Sequence, residues 1–167
     1  MSKITIARAL KLVKRLAGKV AELNERLQGL TVYRDDKPQD FKFEEVLAAH
    51  DQAVAELMGL RVQIAIANAT TQVEFEGKST TLTGLLHEMN ETKGRKTLFQ
   101  NFSLQMRGDR EHTGEFDALG RAVTKVIPWK LVMTEPERVA KLEELQNRIA
   151  ALDELIEETN HRTLLVA

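Results

Sequence analysis

Residues 5–30 repeat an aliphatic side chain every three or four positions, and this pattern constrains the fold more than any other feature of the chain. The repeated residues are Ile6, Ala9, Val13, Leu16, Val20, Leu23, Leu27 and Leu30. Such spacing over more than three heptads is typical of a helix that packs lengthwise against another helix. At 1.5 Å per residue the helix is roughly 37 Å long, so it needs an equally long partner. Gly29 is a helix stop signal, and we predict a helix over 5–29.

Three further helices are predicted, at about 43–68, 82–106 and 135–160. The apolar seam of the second consists of Phe43, Val46 or Leu47, His50, Ala53, Leu57, Leu60, Ile64 and Ala67. The seam of the third is interrupted by Thr92 and Lys96. The fourth has the clearest start, because Thr134 stands three residues before Glu137 and forms a capping-box pattern with it. Long seams on four helices predict antiparallel helical hairpins.

The remaining segments predict a small β arm or cap. Residues 72–76 alternate as a half-exposed strand does, and 123–133 are rich in β-forming residues, with Pro128 restricting them to an edge strand or bent ribbon. Three glycines among charged residues predict a mobile loop over 107–120. The fold class is therefore mainly α: four long amphipathic helices in antiparallel hairpins, a helical bundle or coiled coil, in one domain over 1–167.

Two predicted helix ends share a pattern of residues 92 positions apart. Ile64-x-x-x-Asn68-x-x-Thr71 and Ile156-x-x-x-Asn160-x-x-Thr163 match in type and spacing. One interpretation is a common helix-end signal, in which asparagine takes the left-handed conformation and threonine bonds a free backbone group. The other is a pair of related hairpins, each ending in a short extended arm.

Composition excludes several classes of protein. The 167 residues contain no cysteine, which excludes disulfides, thiolate metal sites and cysteine nucleophiles. No apolar run approaches 18 residues and no signal-peptide pattern opens the chain, so we expect a cytoplasmic protein without a membrane span. The net charge of −1 hides segments of +5 (1–30), −6 (31–92), +4 (93–130) and −4 (131–167). Complementary flanks on neighbouring helices explain this alternation.

A search for chemistry yields no catalytic, cofactor or metal site. His87 and Glu88 begin like a zinc-binding HExxH helix, but Glu91 stands where the second histidine is required. His50 occupies a seam position, where a polar residue fixes helix register more often than it catalyses. Phosphate loops, nucleophile elbows and dinucleotide fingerprints are absent from the sequence. We predict no cofactor, and an enzyme with a site between subunits, around His50 or His87, is the least favoured hypothesis.

Two surfaces for partners are predicted. Aromatic residues concentrate in the connections between helices, and the candidate contacts of a homo-oligomer are Tyr33, Phe75, Phe116 and Trp129. The basic segment 93–130 is the alternative, as a site for a polyanion such as nucleic acid. Its candidate contacts are Lys93, Arg95, Lys96, Arg107 and Arg110. The favoured hypothesis is a non-catalytic structural or interaction protein that assembles with itself or with a protein partner, and the alternative is a nucleic-acid binder.

Several helix-end motifs resemble a known family. They are Ala9-Leu10, Asn68-Ala69-x-Thr71, Leu82-Thr83-x-x-Leu86 and Leu152-Asp153-x-x-Ile156-x-x-x-Asn160. Together they are similar to the septicolysin-labelled family of small bacterial proteins, which has no established function. The family has a tryptophan after the final asparagine, where this chain has His161. The resemblance implies an uncharacterised helical protein and brings no catalytic residues with it.

Overall fold

A computed structural model describes residues 3–32, 41–104, 109–127 and 130–165. Over these residues the elements are α1 (Ile6–Leu30), α2 (Phe43–Thr70), β1 (Gln72–Phe75), β2 (Lys78–Thr81), α3 (Leu82–Gln100), β3 (Asp109–Phe116), β4 (Ala122–Ile127) and α4 (Glu135–Arg162). The strands form two separate antiparallel hairpins, β1–β2 and β3–β4. The prediction of a mainly α fold with a small β part is confirmed.

The described residues form two compact units. Their boundaries fall between Glu88 and Met89 and between Ala151 and Leu152. The first unit contains α1, α2, the β1–β2 hairpin, the start of α3 and the end of α4. The second contains the rest of α3 and α4 and the β3–β4 hairpin. One domain over 1–167 stays a prediction.

In the first unit, α1 and α2 pack as an antiparallel pair. Every predicted seam residue of α1 is buried or half-buried. Leu23, near the end of α1, forms a buried cluster with Val46 and Ala53 from the first half of α2. Val46 is buried and Leu47 is exposed, which decides between the two seam positions that the pattern had left open. The apolar spacing along both helices therefore explains the pairing.

In the second unit, α3 and α4 also run antiparallel, and α3 ends six residues before the predicted boundary of 82–106. Lys96 on α3 donates a hydrogen bond to Gln146 on α4. Arg138, earlier on α4, donates to the carbonyl oxygens of Phe99 (3.4 Å) and Gln100 (3.2 Å). These are carbonyls of the last helical turn, which lack partners within the helix. Arg138 therefore caps the end of α3 at Gln100, together with the N–H of Phe102, which also donates to the carbonyl oxygen of Phe99 (3.4 Å).

The predicted mobile loop over 107–120 is corrected: β3 occupies much of it and pairs with β4. Two of the glycines that suggested a loop serve the hairpin, since Gly114 and Gly120 both have φ of +75°. Gly114 lies where the strand register shifts, as a bulge requires. Asp117 closes the turn by accepting hydrogen bonds from the N–H groups of Leu119 (2.9 Å) and Arg121 (2.8 Å).

The β1–β2 hairpin contains a strand that the sequence reading missed. β1 agrees with the predicted strand at 72–76, but the next residues form β2 instead of leading directly into the third helix. The chain reverses at Glu76 and Gly77, whose φ values are +50° and +75°. A two-residue turn with both φ values positive matches the twist of the flanking strands. Glu76 is an unusual residue in that conformation, which hid the turn from the sequence pattern.

The two helix ends that share the Ile-x-x-x-Asn-x-x-Thr pattern both lie in the first unit and make similar backbone contacts. At the end of α2, the carbonyl oxygen of Thr71 accepts a hydrogen bond from the N–H of Leu82 (3.0 Å), the first residue of α3. At the end of α4, the carbonyl oxygen of Thr163 accepts one from the N–H of Ile6 (3.0 Å), the first residue of α1. We call these two places the joints. Each joins the end of one helix to the start of another.

The two joints also have helix caps of the same kind, each formed by a threonine. Thr81 caps α3 by accepting a hydrogen bond from the N–H of Gly84 (3.1 Å), and Thr5 caps α1 by accepting one from the N–H of Arg8 (3.3 Å). Thr81 pairs with Gln72 across β1–β2, as Thr5 pairs with Leu164 in an isolated bridge.

The asparagines of the echoed pattern do not have the left-handed conformation that one interpretation predicted. Asn68 and Asn160 lie inside α2 and α4, which continue to Thr70 and Arg162. Among the described residues other than glycine, Glu76 alone has a positive φ. The pattern therefore marks the joints, where chain segments meet, and its asparagines do not act as helix stops.

The predicted capping box at the start of α4 is present and makes a pH-dependent contribution to stability. The Glu137 carboxylate accepts hydrogen bonds from the N–H (2.7 Å) and hydroxyl (2.8 Å) of Thr134. The backbone bond and then the hydroxyl bond lower the pKa of Glu137 below its ordinary value. Because the folded-state pKa is the lower one, this contribution is complete above the unfolded pKa of about 4.3 and is lost as the pH falls through the folded value.

We therefore expect Thr134→Ala to raise the pKa of Glu137 part of the way toward its ordinary value, because alanine keeps the backbone N–H and removes only the hydroxyl bond. NMR titration of the Glu137 side-chain carboxyl in both proteins measures this shift. The protection factors of the first amides of α4, which are corrected for the intrinsic pH dependence of exchange, should also decrease in the unmodified protein as the pH falls below the unfolded pKa of about 4.3. Identical Glu137 titration curves in the two proteins would refute the contribution of the Thr134 hydroxyl to the lowered pKa.

Candidate functional site

The most prominent functional candidate is a second apolar face on α2, which we call the outer face. Its large residues are Met58, Val62 and Ile66, which are 60%, 56% and 57% exposed. They follow one another at intervals of four residues and so lie along one side of the helix. The buried residues Leu57 and Ile64 lie on the opposite side. α2 is therefore apolar on both sides, whereas a surface helix normally has a polar outer side.

The rest of the outer face is small and uncharged. Ala55, Gly59, Ala65 and Ala69 lie between and beside the large residues and are exposed. A Cβ atom added at Gly59 would meet no other atom within 4 Å, so the surface there is open. Between residues 52 and 70 the charged residues are Glu56 and Arg61, and helical geometry places both outside this face. The outer face is thus a continuous apolar strip about 20 Å long.

A cavity of about 230 Å³ continues the outer face at its C-terminal end. Ile66 belongs to both, and Thr70 and Leu164 complete much of the cavity lining. Leu164 is the residue that pairs with Thr5 at one of the joints, so backbone hydrogen bonds fix its position. The cavity can receive an apolar side chain from a partner.

The β3–β4 hairpin of the second unit is the other exposed apolar feature, and we call it the arm. All six residues of β4 are exposed. Phe116 is 71% exposed and lies opposite Ala122, on the same side of the arm as Val126. A two-stranded hairpin with no covered face is marginally stable by itself in water. The arm would therefore become more stable if a further surface covered its apolar side chains.

The predicted polyanion contacts do not form a single described patch. Lys93 and Arg95 are exposed on α3, but two residues of helix separate them by more than half a turn, so they lie on different sides. Lys96 shares a side with Lys93 and is half-buried by its contact with Gln146. Arg107 and the side chain of Arg110 lie outside the described part of the structure. The polyanion site stays a prediction.

The predicted oligomer contacts divide in a similar way. Phe75 is half-buried in β1 and Phe116 is exposed on the arm. Tyr33 and Trp129 lie outside the described residues. Their role as contacts stays a prediction, and Phe116 is the member of the set that is most exposed among those described.

The two histidines considered for catalysis differ in their surroundings. His50 is half-buried on α2, and its Nδ1 lies 3.1 Å from Oδ1 of the neighbouring Asp51. His87 is exposed on α3. In the ranges that the structure describes, three or more histidine or acidic side chains do not come together in a group suited to a metal ion.

Sequence reasoning found the inner seam of α2 and missed its outer face. The signal was present: apolar residues at 58, 62 and 66 keep a constant interval of four. The predicted seam used one side of the helix, and these three residues were not part of it. Helices that are apolar all round are typical of interiors and interfaces.

Comparisons with known proteins show a family and a fold. In the described ranges, the helices all fall short of the length and apolar character that crossing a bilayer requires. No curated protein matches the chain. A crystal structure of a functionally unknown conserved protein from Corynebacterium diphtheriae matches with a TM-score of 0.73, covering 99% of this chain and 100% of that chain at 19% identity. At that identity the match shows a shared fold.

The model of a protein family, described as a family of unknown function (DUF6847), matches residues 14–165. Because this segment is most of the chain, the protein belongs to the DUF6847 family.

Proposed function

We propose that the protein is a non-catalytic structural or interaction protein that assembles with copies of itself through its long helices. The observation that carries the proposal is the outer face of α2, where Met58, Val62 and Ile66 remain exposed in one chain. Apolar area removed from water contributes roughly 25 cal/mol per Å². An exposed strip of this kind on a helix therefore favours association.

The outer face suits a second copy of the same chain better than a charged partner. Glu56 and Arg61 lie outside this face, so the face itself carries no charge that would select a charged surface. Two copies of one apolar strip are complementary in polarity when they meet around a two-fold axis. Ala55, Gly59 and Ala65 also leave room for two helices to approach closely, with the larger side chains between them.

Stable interfaces usually bury about 800 Å² on each partner, more than one helix strip provides. The arm supplies further apolar area, including Phe116. A homo-oligomer in which outer faces and arms are covered by other copies accounts for both exposed features. The proposal therefore includes the arm as a second, independent contact.

The test is the mass of the protein in solution and its response to one charge. We expect a dimer or larger at micromolar concentration by light scattering after size exclusion. Val62→Glu should weaken association at least about tenfold, because a carboxylate would lose its hydration in the interface without gaining a partner.

Val139→Glu on α4 is the matched control, since Val139 is exposed to a similar degree. It should leave the mass unchanged. A monomer in the unmodified protein would refute the proposed assembly. Equal dissociation by the two substitutions would remove the contact from the outer face.

A further inference from the structure

A second cavity lies in the first unit, between α1 and α4, and we call it the groove. It has a volume of about 400 Å³, within the usual range for small-molecule sites. Its lining comes from four positions on one face of α1 and five on one face of α4. None of them belongs to the outer face of α2, so the groove is independent of the proposed assembly.

The two walls of the groove carry opposite charges. Lys11 and Lys14 line it from α1, and Asp153 and Glu157 line it from α4. The joint holds the start of α1 against the end of α4, so the helices run antiparallel from there. This direction brings Lys14 to the level of Asp153 and Lys11 to the level of Glu157.

These opposite charges are not neutralised by each other. Within the described residues, none of the four side chains has a hydrogen-bonding or ion-pair partner within 4 Å. The two helix faces therefore hold cations and anions apart across an open space. A molecule carrying both charges can satisfy both walls at once, whereas a simple anion or cation meets one attractive and one repulsive wall.

The floor of the groove is apolar. Ile156 is buried beneath it and Leu10 is partly exposed along its α1 side. Asn160 and His161 stand at the end nearest the joint and offer neutral hydrogen-bonding groups. An apolar body with polar ends fits this distribution, since most ligand sites combine apolar lining with a few placed polar groups.

We infer that the groove binds a small zwitterion with an apolar body, such as a short apolar peptide with both ends free. Its carboxylate lies against Lys11 and Lys14, its ammonium lies against Asp153 and Glu157, and its side chains cover Leu10 and Ile156. This role is separate from assembly. A binding site for a soluble ligand is compatible with a protein whose other surfaces serve association.

The dipeptide Leu-Leu and its capped forms test the inference by NMR titration or calorimetry on the full chain. The free dipeptide should bind with a dissociation constant in the millimolar range or below. An acetylated amino end or an amidated carboxyl end should each weaken binding about fivefold or more, because each cap removes one charge.

Variants then assign the walls. Lys14→Met should reduce the preference for a free carboxylate over an amide, because Lys11 alone remains on that wall. Asp153→Asn should likewise reduce the preference for a free ammonium over an acetyl cap, because Glu157 alone remains on the other. Lys19→Met, an exposed lysine of α1 outside the groove, should preserve both preferences. No binding at about 10 mM, or binding that is indifferent to both caps, would overturn the inference.

Discussion

Leu82→Ala is expected to lower the free energy of unfolding by about 3 kcal/mol, as truncations of fully buried leucines do. Leu82 is the first residue of α3, has no exposed surface and donates its N–H to Thr71 at a joint. The smaller side chain leaves a cavity between elements that backbone hydrogen bonds hold in place. Ile6 occupies the corresponding place at the other joint and is equally buried, so Ile6→Ala should cost a similar amount.

Urea unfolding followed by circular dichroism measures both costs. Leu98→Ala is the matched control, because Leu98 lies on α3 and is 55% exposed. We expect its loss to stay below about 1 kcal/mol, as is usual for surface positions. If Leu98→Ala lowered the free energy of unfolding as much as Leu82→Ala, burial at the joint would not explain the stability.

The second large effect is expected from Leu165→Pro, at about 3 kcal/mol or more. The N–H of Leu165 donates to the carbonyl oxygen of Ile4 (2.9 Å), and the side chain is buried. Proline removes the donor and the leucine side chain together. The strand contact that holds the start of α1 would then lose one of its two hydrogen bonds.

Leu164→Pro provides the comparison. Leu164 pairs with Thr5 at a position whose flanking residues, Thr163 and Leu165, make the two hydrogen bonds of the bridge. Its own N–H therefore points away from the partner strand. Thermal melts should show a much smaller shift for Leu164→Pro than for Leu165→Pro. Equal shifts would mean that the backbone bond to Ile4 is unimportant.

Much of this fold could be predicted because the spacing of a long apolar seam determines both the helix and the side of it that is buried. The α1 seam needed only its spacing, and each of its residues is buried or half-buried. The start of α4 needed only Thr134 and Glu137, whose side chains bond as the pattern predicts. Both signals are local, since they depend on residues within one or two turns of helix.

The misses depend on partners that the local pattern does not show. α3 ends where Arg138, distant in sequence, satisfies its last carbonyls. The arm replaces a predicted loop because Gly114 and Gly120 serve a bulge and a turn, and composition alone does not distinguish these uses from a loop. β2 was not predicted because the turn before it uses Glu76 at a positive φ, and glutamate is not a residue that signals such a turn.

The candidate surfaces were predicted less well than the fold. The aromatic prediction included Phe116, but it concerned connections and so passed over Met58, Val62 and Ile66 on a helix. The groove could not be predicted, because its walls come from α1 and α4 at opposite ends of the sequence. The resemblance to septicolysin-labelled proteins stays a prediction and carries none of these surfaces.

The matching joints have a consequence for how the chain is organised. A hairpin of α1 with α2 and a hairpin of α3 with α4 each offer one helix start and one helix end, and each end meets the other hairpin's start. Two half-length chains related by a two-fold axis would form the same pair of contacts between separate molecules. In such a dimer the two joints would be identical contacts between separate molecules. When β1 and β2 link the halves into one chain, both joints lie within one molecule, and their sequences can change independently. The arm, which lies between α3 and α4, is a feature that one half of the chain could acquire by itself under such independence.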